Sequence, residues 1–104
     1  MKDVKIIVLK MIENKDLIKE YENPEYMKKI ENRCIMHIGD SFVSKNAQIP
    51  KNFCNSAWHD LFPYVEKLAN GVKQVYDNWM IKDGTAIISC NDGLHPVIFL
   101  LEVM

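Results

Sequence analysis

One stretch limits what this chain can fold into more than any other, the run from Asn52 to Gly71. At about 100° per residue, Cys54, Ala57, Trp58, Leu61, Phe62, Val65, Leu68 and Ala69 fall within an arc of roughly 160°, with Tyr64 at its margin. Asn55, Ser56, His59, Asp60, Glu66, Lys67 and Asn70 fill the opposite arc. No residue is misplaced, so the spacing predicts one amphipathic helix over residues 54–70 with a single buried face. Asn52 or Asn55 can cap its start with a side-chain oxygen, and Gly71 stands where a left-handed residue ends a helix. Pro63 removes the hydrogen bond to the His59 carbonyl, but it lies in the polar arc. A proline there bends a helix toward its core, so a kinked helix is expected rather than two.

A helix with one greasy face needs a cover, and the strand-like ends of the chain are the large cover available. Val4 to Ile12 is rich in β-branched residues and apolar on both faces after Lys5, as an interior strand is. Thr85 to Asn91 and Val97 to Val103 form two runs around Asn91-Asp92-Gly93-Leu94-His95-Pro96, a hairpin with turn-forming residues at its tip. Gly39-Asp40 marks a further turn between two short strand-like runs within Arg33 to Ser44. Asn14 can cap a short helix to about Glu22 with Leu17, Ile18 and Tyr21 as a stripe. Asn23-Pro24 restarts a second helical piece, Glu25 to Ile30. Val72 to Gly84 has no sustained period and reads as a loop from which Trp79 and Met80 cover part of the core. The expected fold is α+β: an antiparallel or mixed sheet of four or five strands packed by the kinked helix 54–70.

The 104 residues fit a single domain, 1–104, able to bury a core without metal or disulfide staples. Hydrophobic residues make up 48 % and the net charge is −1, which suits a globular chain. Arg33 is the one arginine among 13 basic residues. With no basic run, nucleic acid is not an expected partner. The charged start Met1-Lys2-Asp3-Val4-Lys5 and the lack of a long apolar run argue against a signal peptide or membrane span. A cytoplasmic location follows, in which three separated cysteines stay free thiols.

The spaced residues Cys34, Gly39, Phe42, Pro50, Phe53-Cys54-x-x-Ala57-Trp58 and Cys90-x-Asp92-Gly93-x-x-Pro96-Val97-x-Phe99 resemble a family of small uncharacterised prokaryotic proteins of about this length. The resemblance spans nearly the whole chain except Asn14 to Asn32. It implies a cytoplasmic single-domain protein. It brings no activity and assigns no role to the matched residues.

Candidate chemistry concentrates at cysteine and histidine. Of the local pairs, Cys54 and His59 point about 140° apart on a helix, and Cys34 and His37 point to opposite faces of a strand. Cys90 and His95 flank a turn and can converge. Neither Cys-x-x-Cys nor His-Glu-x-x-His is present, so no metal site is expected, and the sequence implies no particular cofactor. Cys54, at the helix start, is the candidate nucleophile, because free N–H groups there stabilise a thiolate. The commoner role of a cysteine in the apolar arc is packing. Trp58, Cys90, Asp92 and His95 are the candidate ligand-binding residues, although Trp58 on the buried face also reads as core and Asp92 as turn chemistry. Asp60, Glu66 and His59 read as solvated helix residues.

Three functions follow as expectations. The first is an accessory protein holding a small ligand or a partner protein between the start of the central helix and the C-terminal hairpin. The second is a thiol-dependent enzyme using Cys54, oriented by Cys90, Asp92 or His95. The third is a homo-oligomer extended through an apolar edge of Leu100, Leu101, Val103 and Met104.

Overall fold

Alternation along two strands builds the centre of the fold. In β1 (Val4–Met11) the side chains of Val4, Ile6 and Val8 are buried, and in β4 (Val97–Val103) those of Val97, Phe99 and Leu101. Successive side chains on a strand point to opposite sides, so these six share one face. A computed structural model describes residues 1–27 and 36–104. It shows an antiparallel four-stranded sheet in the order β2-β1-β4-β3, with β2 at Ser41–Ser44 and β3 at Thr85–Ser89. Of the first strand-like run expected before Gly39, Met36 to Ile38 form no strand and the rest lies outside the described residues, as does the end of the second helical piece.

The central helix α3 spans Asn55–Ala69 and presses Ala57, Leu61, Val65, Leu68 and Ala69 into the core against the sheet. The chain is thus α+β, with one sheet face covered by one helix. The helix runs unbroken through Pro63, which is exposed. Gly71, at φ +93°, ends it as expected. Its N–H donates to the Leu68 carbonyl and that of Val72 to the Lys67 carbonyl, a Schellman closure. The start differs from the expectation. Cys54, not Asn52 or Asn55, is the N-cap, and it makes no side-chain capping bond. Asn52 instead takes a left-handed backbone at φ +64° to turn the chain into the helix. Phe62, expected on the apolar side, is 37 % exposed and lies against the Trp58 ring at 5.8 Å between centroids.

Two short helices follow β1: α1 at Lys15–Tyr21 and α2 at Pro24–Met27. Asn23 caps α2 by accepting the Glu25 N–H at 2.9 Å. Asn14 stands at the cap of α1 but does not cap it; its Nδ2 donates to the Gly93 carbonyl in the hairpin turn. β1 carries one bulge. Val8 pairs with Phe99 and Lys10 with Ile98, so Leu9 is the extra residue.

The apolar edge expected at Leu100, Leu101, Val103 and Met104 does not exist as such. β4 is an interior strand, Leu101 is fully buried against α3, and Leu100 points to the opposite face. A run of apolar residues along one strand cannot tell an edge from a centre, because both faces of a central strand can be apolar. Trp79 also departs from its expected place. It packs on Tyr76, 5.0 Å between centroids, and is 40 % exposed; Val75 covers the core from that loop instead. No described helix is long and apolar enough to cross a membrane.

Candidate functional site

Among the described residues, the hairpin β3–β4 and its turn gather most of the side-chain hydrogen bonds that join distant parts of the chain. At its neck, the Cys90 N–H donates to the Val97 carbonyl at 3.0 Å, and the Val97 N–H donates to Cys90 Sγ at 3.2 Å. The Cys90 thiol is therefore an acceptor that closes the hairpin. In the turn, Asp92 Oδ1 accepts the N–H groups of Leu94 at 3.0 Å and His95 at 3.1 Å. An aspartate folding back on the next two or three N–H groups is a turn device. Its effect is to fix where His95 leaves the backbone.

His95 then crosses to the other end of the chain. Its Nε2 lies 2.5 Å from Glu22 Oε2, with the two side chains 17 % and 4 % exposed. Glu22 is the C-cap of α1, so this pair and the bonds from Asn14 to Gly93 and Leu94 clamp α1 to the hairpin turn. With the proton on Nε2, His95 donates to the carboxylate. Glu22 Oε1 and His95 Nδ1 are both buried and have no hydrogen-bond partner among the described residues. A buried acceptor left unsatisfied costs about 1–3 kcal/mol. Such a group in a folded protein calls for a reason.

Glu22 also lines a cleft of about 350 Å³ with Tyr21, Asn23, Tyr26, Asp92 and Leu94. A second cleft, of about 400 Å³, lies on the other side of the hairpin, between α3 and β3. Asp60, Tyr64, Tyr76, Trp79 and Ser89 line it. The Tyr64 and Tyr76 hydroxyls meet at 3.1 Å, and this hydrogen bond raises the Tyr64 pKa above the usual phenol value. The rings there touch one another, which leaves a wall rather than an open cage. Asp60, expected to be solvated, is half-buried and accepts the Asn91 N–H at 2.9 Å through Oδ2. It ties the second turn of α3 to the hairpin. Nothing local in the sequence marks this, since its partner is 31 residues away.

Of the residues expected to form a site, Asp92 and His95 are brought together in one turn, with Cys90 at its neck. Trp58 is half-buried in a ring cluster with Phe53 and Phe62 and packs on the core. Cys54 is half-buried beside the same core. No hydrogen bond joins the Cys54 thiol to any described residue, and it lines neither hairpin cleft. Cys34, expected on the opposite strand face from His37, is outside the described residues. Among the described residues, no three His, Cys, Asp or Glu side chains converge to hold a metal ion. The residue that the sequence does not single out is Glu22, which ends a charged helix and gives no local sign that a histidine 73 positions on will bury it.

No family model matches the chain, and no curated protein or solved structure does either.

Proposed function

We propose that this chain is a small binding protein whose ligand lies at the C-terminal hairpin, in the cleft shared with α1. One observation carries the proposal: Glu22, only 4 % exposed, lines that cleft and keeps one carboxylate oxygen without a donor. The ligand that answers it is a small cation bearing N–H groups. Among the described lining residues, Glu22 and Asp92 are acidic and none is basic. An amidine or guanidine presents a planar set of N–H donors that suits a carboxylate, and Tyr21 and Tyr26 supply ring faces that favour a cation. This keeps the hairpin as the binding element but sets the ligand on its α1 side rather than at the start of α3.

Binding is preferred over thiol chemistry because Cys54 has no base hydrogen-bonded to it among the described residues. A cytoplasmic location belongs to the same proposal, since free Cys54 and Cys90 fit a reducing compartment. The family likeness carried by Cys34 to Phe99 supplies no activity, so the cleft alone supports the function.

The test is an amide-resolved NMR titration with benzamidine, neutral benzamide and anionic benzoate. Benzamidine is expected to shift Glu22, Asn23, Asp92 and Leu94, with the other two probes inert, and Glu22→Gln is expected to remove the response. No response near these residues at ~10 mM benzamidine, a concentration that detects binding as weak as about −3 kcal/mol, overturns the proposal.

A further inference from the structure

We propose that two copies of this chain associate face to face through the side of the sheet that α3 leaves uncovered. An antiparallel sheet with one solvated face ordinarily alternates apolar-in and polar-out. Here the apolar outer positions are Ile7 in β1, Ile98 and Leu100 in β4, Ile87 in β3 and Val43 in β2, with Ser41 beside Ile7 and Lys10 and Ser89 on either side of Ile98. Ile7, Ile87 and Leu100 form one continuous row, since Leu100 pairs with Ile7 on one side and Ile87 on the other. Ile98 adjoins it, one step along β4. Lys5 stands opposite Glu102 in the row on the other side, with Val43 beside Lys5 and Thr85 beside Glu102.

The registers make this face complementary to itself. A two-fold axis between the stacked faces, parallel to the strands and passing between β1 and β4, lays β1 of each copy over β4 of the other. Stacked sheets pack about 10 Å apart. Because Ile7 and Leu100 stand at one height, each then meets the other's counterpart in the second copy. Lys5 and Glu102 also share a height, so the same operation sets Lys5 of each copy over Glu102 of the other, twice. Within one chain Lys5 acts on Glu102 through its charge alone. Lys82 Nζ takes Glu102 Oε2 at 2.7 Å, while Lys5 forms no ion pair among the described residues. Glu102 Oε1 thus stays available for a second lysine. Lys10, at the hairpin end of the face, falls at the rim.

The size of the face sets the strength. Four strands at ~4.8 Å spacing and about five residues at ~3.4 Å give a footprint on the order of 300 Å² on each copy. That is the size of the largest apolar patch on an ordinary monomer, and below the ~800 Å² per partner of a standard stable interface. The dimer is therefore weak, reversible and concentration-dependent.

Sedimentation equilibrium of the full chain up to ~1 mM tests this, a concentration at which even an association of about −4 kcal/mol is visible. The wild-type chain is expected to pass from monomer to dimer. Leu100→Glu, Lys5→Glu and Glu102→Lys are each expected to weaken association tenfold or more, as like charges meet. The decisive sample is an equal mixture of K5E and E102K. In a mixed dimer every substituted residue meets the opposite charge, so the mixture is expected to recover to within about threefold of wild type. Recovery cannot arise from misfolded components. A wild-type chain that stays monomeric, a dimer untouched by Leu100→Glu, or a mixture no better than its parts overturns the proposal.

Discussion

The two faces of the sheet are built from the same four strands and meet different fates. On one face Val4, Ile6, Val8, Phe99 and Leu101 are at or near zero exposure beneath α3. On the other, Ile7, Ile98 and Leu100 are half-buried. Both sides carry large aliphatic residues, although the outer one mixes them with Lys5, Ser41, Ser89 and Glu102. Cover differs too, so the free energy that an apolar side chain contributes depends on what lies above it.

That contrast can be broken directly. Phe99→Ala removes a fully buried ring and leaves a cavity, and is expected to destabilise the chain by about 3–5 kcal/mol in urea unfolding. Leu100→Ala, one residue along, should cost about 1 kcal/mol or less in dilute solution, because no second layer lies above it to leave a cavity. Equal losses would mean that both faces are covered in solution. A sharper version repeats Leu100→Ala near 1 mM protein, where the cost should grow if a second copy supplies the cover.

Smaller effects separate the covered layer from its fastenings. Asp60→Ala removes the acceptor of the Asn91 N–H and is expected to cost about 1 kcal/mol, with faster amide exchange confined to residues 89–97. Gly71→Ala places a Cβ at φ +93°, where the space around it is open, so its cost of about 1 kcal/mol is conformational strain alone. Thermal melts of the two variants should show similar losses, but only Asp60→Ala should loosen the hairpin.

The smallest effect belongs to the rim of the open face. The Lys82 hydrogen bond, and then its charge, hold the Glu102 carboxyl below the usual carboxylate range. The folded pKa is lower than the unfolded one. The pair therefore stabilises the chain above the unfolded pKa, and this contribution is lost as pH falls through the folded value. The carboxylate is largely solvated, so the contribution is at most about 0.5 kcal/mol. Lys82→Met should flatten the acid limb of a stability-against-pH curve by that amount and leave the neutral limb parallel to wild type.

Local pattern reached as far as local causes reach. The helix over residues 55–69, its Gly71 stop, the interior strand at Val4 and the terminal hairpin all follow from periods of 3.6 and 2 and from turn residues. The N-cap was not legible, because Asn52 and Asn55 both carry suitable side chains and the choice falls to the backbone path around Asn52. The outer apolar row was legible as composition but not as a face, since strand order decides whether Leu100 stands at an edge or over a centre. The clamp of Glu22 on His95 and the tie of Asp60 to Asn91 were not legible at all. Each joins segments far apart in the chain, and a carboxylate on a short polar helix looks the same whether it meets water or a histidine.

The bulge at Leu9 has a consequence for length changes in this chain. Taking one residue out of a strand usually turns every side chain beyond it inside out. Here Val8 and Lys10 already oppose neighbouring residues of β4, Phe99 and Ile98, so excising Leu9 would leave the remaining partners as they are. The shortened chain should keep its fold and lose only the bulge. β1 is thus expected to tolerate a single-residue deletion at Leu9, whereas excising Ile7 would carry Lys5 toward the core.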